Sequence, residues 1–127
     1  MKKITTVSMI VMILIIACKK DTQEVSLRGK WNLESVITKE YLNGNLANTN
    51  TEPGNGYKYD FQDNGNLLIT GFLAGSTATY TILPNSKVEI DGDVFEIRNL
   101  AASSVTLFIR VDYTPDEYDE LYLNLKR

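Results

Sequence analysis

The side chains able to do chemistry in this chain are mostly carboxylates. Asp112, Asp116, Glu117, Asp119 and Glu120 fall within nine residues. Oxygen-rich runs can hold calcium, but the EF-hand spacing and the glycine its loop needs are missing. The expectation is a solvated acidic loop over residues 112–120 and no metal site. Asp60, Glu89 and Glu96 are the candidates for an acid/base pair of the kind glycoside hydrolysis uses. Alternation puts Asp60 and Glu89 on the polar faces of their strands, and Glu96 sits in a strand that is apolar on both faces. Ser103-Ser104 has no histidine or nearby lysine to activate it. The chain has no histidine and a single cysteine. That removes Cys/His zinc sites, disulfides and a Ser-His-Asp triad. No catalytic residue and no cofactor is assigned, and the chain reads as a non-enzyme.

The one cysteine carries a different chemistry. Lys2 and Lys3 precede an apolar run from Ile4 to Ala17, and Leu14-Ile15-Ile16-Ala17-Cys18 closes it. A spanning helix needs about 20 apolar residues. This run is shorter and is diluted by Thr5, Thr6 and Ser8, as in a signal-peptide core. Small Ala17 before Cys18 completes a lipobox. Residues 1–17 are therefore expected to be a lipoprotein signal peptide. Cys18 becomes the acylated first residue, carrying fatty chains such as palmitate and tying the protein to a membrane. Two or more chains anchor stably where one does not. Lys19 to Glu24 is polar and aperiodic, so residues 18–26 read as the lipidated cysteine and a flexible tether. Cys18-Lys19-Lys20-Asp21 resembles the start of many lipoproteins of the Bacteroidota. That resemblance implies the outer membrane, facing either the periplasm or the cell surface.

Removing the leader takes Lys2 and Lys3 with it and moves the net charge from −3 to −5. An acidic domain lacks the basic patch that nucleic-acid binding requires. About 110 residues remain, enough for one domain with one core.

Those residues read as short alternating segments between turn signals. Trp31, Leu33, Ser35 and Ile37 share one strand face. Asn43-Gly44 is a tight-turn dipeptide, and residues 43–56, rich in Asn, Gly and Thr, read as a long loop. Tyr57, Tyr59 and Phe61 alternate with polar residues. Asp63-Asn64-Gly65 turns the chain into a strand with Leu68 and Phe72 on one face. Strands follow over residues 77–83, 87–90 and 94–100. Val105, Leu107, Ile109 and Val111 alternate, and Leu121, Leu123 and Leu125 close the chain. No helical stripe follows the leader. About eight hairpin-linked strands over residues 27–127 fit an antiparallel up-and-down barrel, which removes its open edges by closing. A β-sandwich is the alternative.

Gly29-Lys30-Trp31 at the start of the first strand resembles the Gly-x-Trp motif of lipocalins. Tyr59-Asp60-Phe61-Gln62-Asp63-Asn64-Gly65 resembles a hairpin common in lipocalin-like lipoproteins of the Bacteroidota. The resemblance implies that Trp31 plugs the closed end of a barrel. It also implies that a basic residue, Lys126, Arg127 or Arg110, packs over the indole. Trp31, Tyr57, Tyr59, Phe61, Phe72 and Tyr80 are the candidate cavity-lining or core residues. An eight-stranded barrel is wide enough either to be filled by such rings or to hold one small ligand. Two functions follow. One is binding of a small apolar or amphipathic ligand at the open end, beside residues 43–56. The other is a non-catalytic structural or protein-interaction module of the cell envelope.

Overall fold

The structure, a computed structural model, describes residues 25–71 and 75–127. The expected signal peptide (residues 1–17), Cys18, most of the expected tether and Phe72 lie outside the described residues. The described chain forms nine strands: β1 (Gly29–Leu42), β2 (Asn45–Pro53), β3 (Lys58–Phe61), β4 (Asn66–Thr70), β5 (Ser76–Leu83), β6 (Lys87–Ile90), β7 (Asp93–Arg98), β8 (Ser104–Thr114) and β9 (Glu117–Lys126). They form one antiparallel sheet in the order β2-β1-β3-β4-β5-β6-β7-β8-β9, and β1 also pairs with β9. That last pairing closes eight strands into an up-and-down barrel and leaves β2 as an extra strand outside it. The sandwich alternative is thereby excluded.

Strand length explains the shape. β3 and β6 have 4 residues and β4 has 5, whereas β1 has 14, β8 has 11 and β9 has 10. At about 3.3 Å per residue β1 reaches about 46 Å, well past its short neighbours. Only Gly29–Asn32 of β1 pairs with β3; Ser35–Leu42 pairs with β2 instead. Likewise β7 pairs with β8 only through Thr106–Phe108. Beyond the barrel wall, four strands in the order β2-β1-β9-β8 project as a blade.

A β-bulge marks the exit. Leu33 N donates to Tyr57 O at 2.8 Å, and Gly54 N donates to Glu34 O at 2.9 Å. Two consecutive β1 residues thus turn their backbone toward the same side, and the register with β9 shifts between Leu33 and Ser35. A bulge inserts one residue and reverses the facing of all that follow. The expected single face of Trp31, Leu33, Ser35 and Ile37 is therefore split. Trp31 and Leu33 pack inward, while Ser35 and Ile37 fall outside and Val36 takes the inner face opposite Leu123.

Three other expectations are corrected. Residues 43–56 are not one loop. Asn43 and Gly44 adopt φ of 53° and 75°, the paired positive values of a two-residue hairpin turn. Asn45–Pro53 is then held as a strand by its pairing with β1, against its loop-like composition. Residues 112–120 are not a loop either: β8 and β9 run through them, and only Pro115-Asp116 separates the strands. The Gly44 amide donates to Asp116 O at 3.0 Å, tying the two hairpin tips of the blade together. In β4, Leu67 and Ile69 face the core rather than Leu68.

The core sits toward the end where Gly29 and Lys126 lie. Trp31, Phe61, Leu67, Leu107, Leu125 and Val88 are fully buried, and Leu27 of the incoming chain joins them. Each such side chain contributes about 1.5–3 kcal/mol over exposure. Trp31 Nε1 donates to Leu27 O at 2.7 Å, so the buried indole N–H is satisfied. The Arg127 guanidinium lies 3.9 Å from the Trp31 ring centroid. It also donates to Ala102 O, Arg28 O and Ser26 O at 2.9, 2.8 and 3.1 Å. Of the three cations suggested by sequence, Arg127 is the one over the indole. Lys126 pairs with Glu34 at 2.8 Å, and Arg110 lies over Tyr118.

Candidate functional site

The aromatic candidates separate by depth. Trp31, Phe61 and Tyr80 belong to the buried core. The Phe61 and Tyr80 rings meet edge to face at 5.1 Å, and the Tyr80 hydroxyl donates to Gln62 O. These rings fill the closed half of the barrel. Tyr59 also points inward but is only half-buried, and burial, reinforced by neighbouring Tyr57, pushes its phenol above the ordinary tyrosine range. Tyr57 precedes β3 and is 40 % exposed. Its ring lies against Gly71, where an added Cβ would come within 2.5 Å.

The carboxylate candidates do not converge. Asp60 on β3 and Glu89 on β6 face outward with two strands between them. Glu96 pairs with Arg98 at 2.6 Å on the outer surface. The acidic residues 112–120 divide between the two faces of the blade. Asp112 pairs with Arg110 at 2.7 Å on the outer face, and Asp119 lies on the inner face.

The outer face is closed upon itself. Tyr41 stacks on Tyr118 at 4.6 Å and 13°, and Arg110 covers the Tyr118 ring at 3.6 Å. Closer to the barrel, Arg98 lies 3.6 Å from the Phe108 centroid, Phe108 meets Tyr122 at 5.0 Å, and Lys39 sits over Tyr122 at 5.1 Å. Next to these, Thr106 Oγ1 donates to Asn124 Oδ1 at 2.8 Å and Asn124 Nδ2 donates to Ser35 Oγ at 3.0 Å. Rings are covered by cations and polar groups by one another. Cations over rings draw neighbouring strands together, so this face stiffens the blade.

The inner face is open, aliphatic along β9 and β8 and polar along β2, where Glu52, Asn50 and Asn48 stand level with Val36, Thr38 and Glu40 of β1. At the barrel mouth, Leu33, Tyr59, Ile69, Ile90, Phe95 and Leu123 pack on the core with one side toward solvent. Pairing and alternation continue that face up the blade through Val36, Leu121, Ile109 and Val111. Val111 is 42 % exposed and Leu42, further out, 51 %. The strip turns acidic near the tip, where Glu40 and Asp119 are direct cross-strand partners. The Tyr113 hydroxyl donates to Asp119 at 2.9 Å, and that hydrogen bond holds the Tyr113 phenol above its usual range. Sequence reasoning missed this strip, although Ile109, Val111, Leu121 and Leu123 alternate visibly. Without β2 and the bulge, the blade that carries them has no reason to exist.

At the opposite end a cleft of about 550 Å³ opens between Val25 and Leu27 on one side and Ile82, Leu83, Ile97 and Leu100 on the other. It lies where the chain enters the domain. The chain matches no family model, no curated protein and no solved structure.

Proposed function

We propose that this is a lipid-anchored, lipocalin-like protein of the outer membrane that holds an elongated apolar or amphipathic ligand. The ligand lies along the strip from the barrel mouth to Val111, not inside the barrel. The observation that carries this reading is the continuation of the barrel's apolar interior onto the β9 and β8 part of the blade's inner face. Pockets for such ligands are mostly apolar with a few polar groups that fix orientation. Here Tyr59 at the mouth, and Tyr113 with Asp119 near the tip, supply them. Gly29-x-Trp31 with Arg127 over the indole supports the lipocalin-like reading. Cys18 lies seven residues before Val25, a reach of about 25 Å when extended. Anchored there, the closed end faces the membrane and the mouth points away from it.

The test of the ligand site is titration of a fluorescent long-chain fatty acid into the purified full-length chain. Saturable binding is expected, and Leu121→Lys should weaken it at least about tenfold, the equivalent of 1.4 kcal/mol. Thr81→Lys, on the barrel exterior, should leave it unchanged. Equal binding by Leu121→Lys and the unsubstituted chain would remove the strip from consideration. The anchor has its own test: Cys18→Ala should abolish fatty-acid labelling in cells, and an undiminished labelled band refutes the anchor without touching the ligand site. The second reading, a non-catalytic interaction module of the envelope, draws on the solid closed half of the barrel and on the free edge of β2.

A further inference from the structure

The blade has two free edges, and they differ in chemistry. On the β8 side, past Phe108, the edge carries the Arg110–Asp112 ion pair. Charges of this kind blunt an edge against pairing with another chain. On the other side β2 is exposed at all 9 residues and contains no lysine or arginine; its one charge is Glu52. A register shift skips Ala47 at one end, and Pro53 guards the other. Between them Asn48–Glu52 runs straight and unguarded.

The direction of its free backbone groups follows from one hydrogen bond. Gly54 N donates to Glu34 O. Antiparallel pairs alternate between bonded and non-bonded residues, so Asn48, Asn50 and Glu52 address β1. Thr49, Thr51 and Pro53 address solvent. Pro53 has no N–H to offer, whereas Thr49 and Thr51 each present a free N–H and a free C=O.

We propose that this edge pairs antiparallel with β2 of a second copy of the chain, about a twofold axis at Asn50. In that register Thr49 exchanges two hydrogen bonds with Thr51 of the second copy, and the symmetry repeats the exchange, giving four. Threonine meets threonine across the junction, a favourable cross-strand pair. Asn48 faces Glu52 of the second copy. The two Glu52 residues are four positions apart, about 14 Å, beyond the Debye length at physiological salt. A twofold interface uses the same patch on both copies; this strand is complementary to itself in hydrogen bonding, and its one charge meets no like charge across the junction. The two closed ends point in opposite directions, and the two blades merge into one eight-stranded sheet. The pairing is independent of what the inner face binds.

The test is oxidative cross-linking of the purified full-length chain. Asn50 meets its own copy as a non-bonded pair, with Cα atoms about 4.5 Å apart, inside the range a disulfide spans. Asn50→Cys should therefore give a covalent dimer on a non-reducing gel. The unsubstituted chain reports any cross-link through Cys18, and Asn48→Cys, about 14 Å from its own copy, should add nothing to it. Thr51→Pro removes an outward amide and none bonded to β1. It should keep the melting temperature yet abolish the Asn50→Cys dimer. Asn50→Cys dimer no greater than in the unsubstituted chain or in Asn48→Cys overturns the proposal. So does undiminished cross-linking in the presence of Thr51→Pro.

Discussion

Gly54→Ala tests the junction between barrel and blade. Gly54 is buried, and its φ is not in the left-handed region, so its requirement is space rather than backbone freedom. A Cβ placed there would lie 1.7 Å from Leu33 O, 2.5 Å from Leu33 C and 3.2 Å from Glu34 N. All three neighbours are backbone atoms of the bulge, which cannot swing aside as a side chain does. To restore a 3 Å contact the segment after β2 must retreat by more than 1 Å. That breaks the Gly54 N to Glu34 O hydrogen bond and strains the turn in which Tyr57 N donates to Gly54 O at 3.1 Å. Overpacking costs about 1–3 kcal/mol and a lost backbone hydrogen bond about 1 kcal/mol. The expected loss is about 2–4 kcal/mol, or a fall in melting temperature of about 10–25 °C for a domain of this size. Urea and thermal unfolding measure it, with Gly44→Ala as a comparison at a position where added volume meets nothing. Gly44→Ala strains a left-handed turn and should cost about 1 kcal/mol. A Gly54→Ala loss below that of Gly44→Ala would show that the bulge is not locked by this contact.

Arg127→Lys should cost about 1–2 kcal/mol in unfolding experiments, because lysine keeps a cation near Trp31 but cannot reach three carbonyls as a fork; unchanged stability would deny the clamp a role. Glu40→Gln should stabilise by about 0.2–1 kcal/mol by relieving the like-charge pair with Asp119, and the gain should shrink in high salt. A loss, or a gain indifferent to salt, would contradict it. The raised pKa of Tyr59 means that the folded state holds its proton more tightly than the unfolded chain. Its stabilising contribution is whole below about pH 10, where unfolded tyrosine titrates, and is lost as pH rises through the folded value. Denaturant melts toward pH 11 should show that decline, and Tyr59→Phe should make it shallower; an unchanged slope would refute the assignment.

Much of the barrel is legible because burial imposes period two on its strands. Val105-x-Leu107 and Leu121-x-Leu123-x-Leu125 can face inward in one way only. The closed end is legible only through the resemblance of Gly29-Lys30-Trp31 to the lipocalin motif, which leaves Lys126, Arg127 and Arg110 as candidate lids; the fold selects Arg127. The blade is not legible. Residues 45–53 carry no apolar alternation, since neither face of β2 is buried, and their strand character comes entirely from β1. The acidic stretch 112–120 hides two strands for the same reason. The bulge after Leu33 is the costliest omission, because one inserted residue carries Val36 inward and Ser35 and Ile37 outward. Its only mark in the sequence is Gly54, twenty residues away.

The two faces of the blade argue against its being excess strand length. A blade needing only rigidity is served by the outer face, where Tyr41, Tyr118, Arg110, Phe108 and Arg98 interlock across β1, β9, β8 and β7. The inner face has no such need. A solvated sheet face normally alternates apolar-in with polar-out, and beyond the mouth there is no interior for Ile109, Val111 and Leu121 to line. Leaving Val111 exposed and Ile109 and Leu121 half-buried forgoes part of the burial energy that aliphatic side chains gain elsewhere in the barrel. Polar residues there would leave the outer interlock and the core untouched. The ligand proposed above would cover them and recover that burial. The strip begins at the half-open ring of Leu33, Tyr59 and Phe95 and turns acidic at Glu40 and Asp119. In the reading proposed above, the ligand would lie along β9 and β8, with Glu52 and Asn50 of β2 at its flank and Glu40 and Asp119 at its outer end.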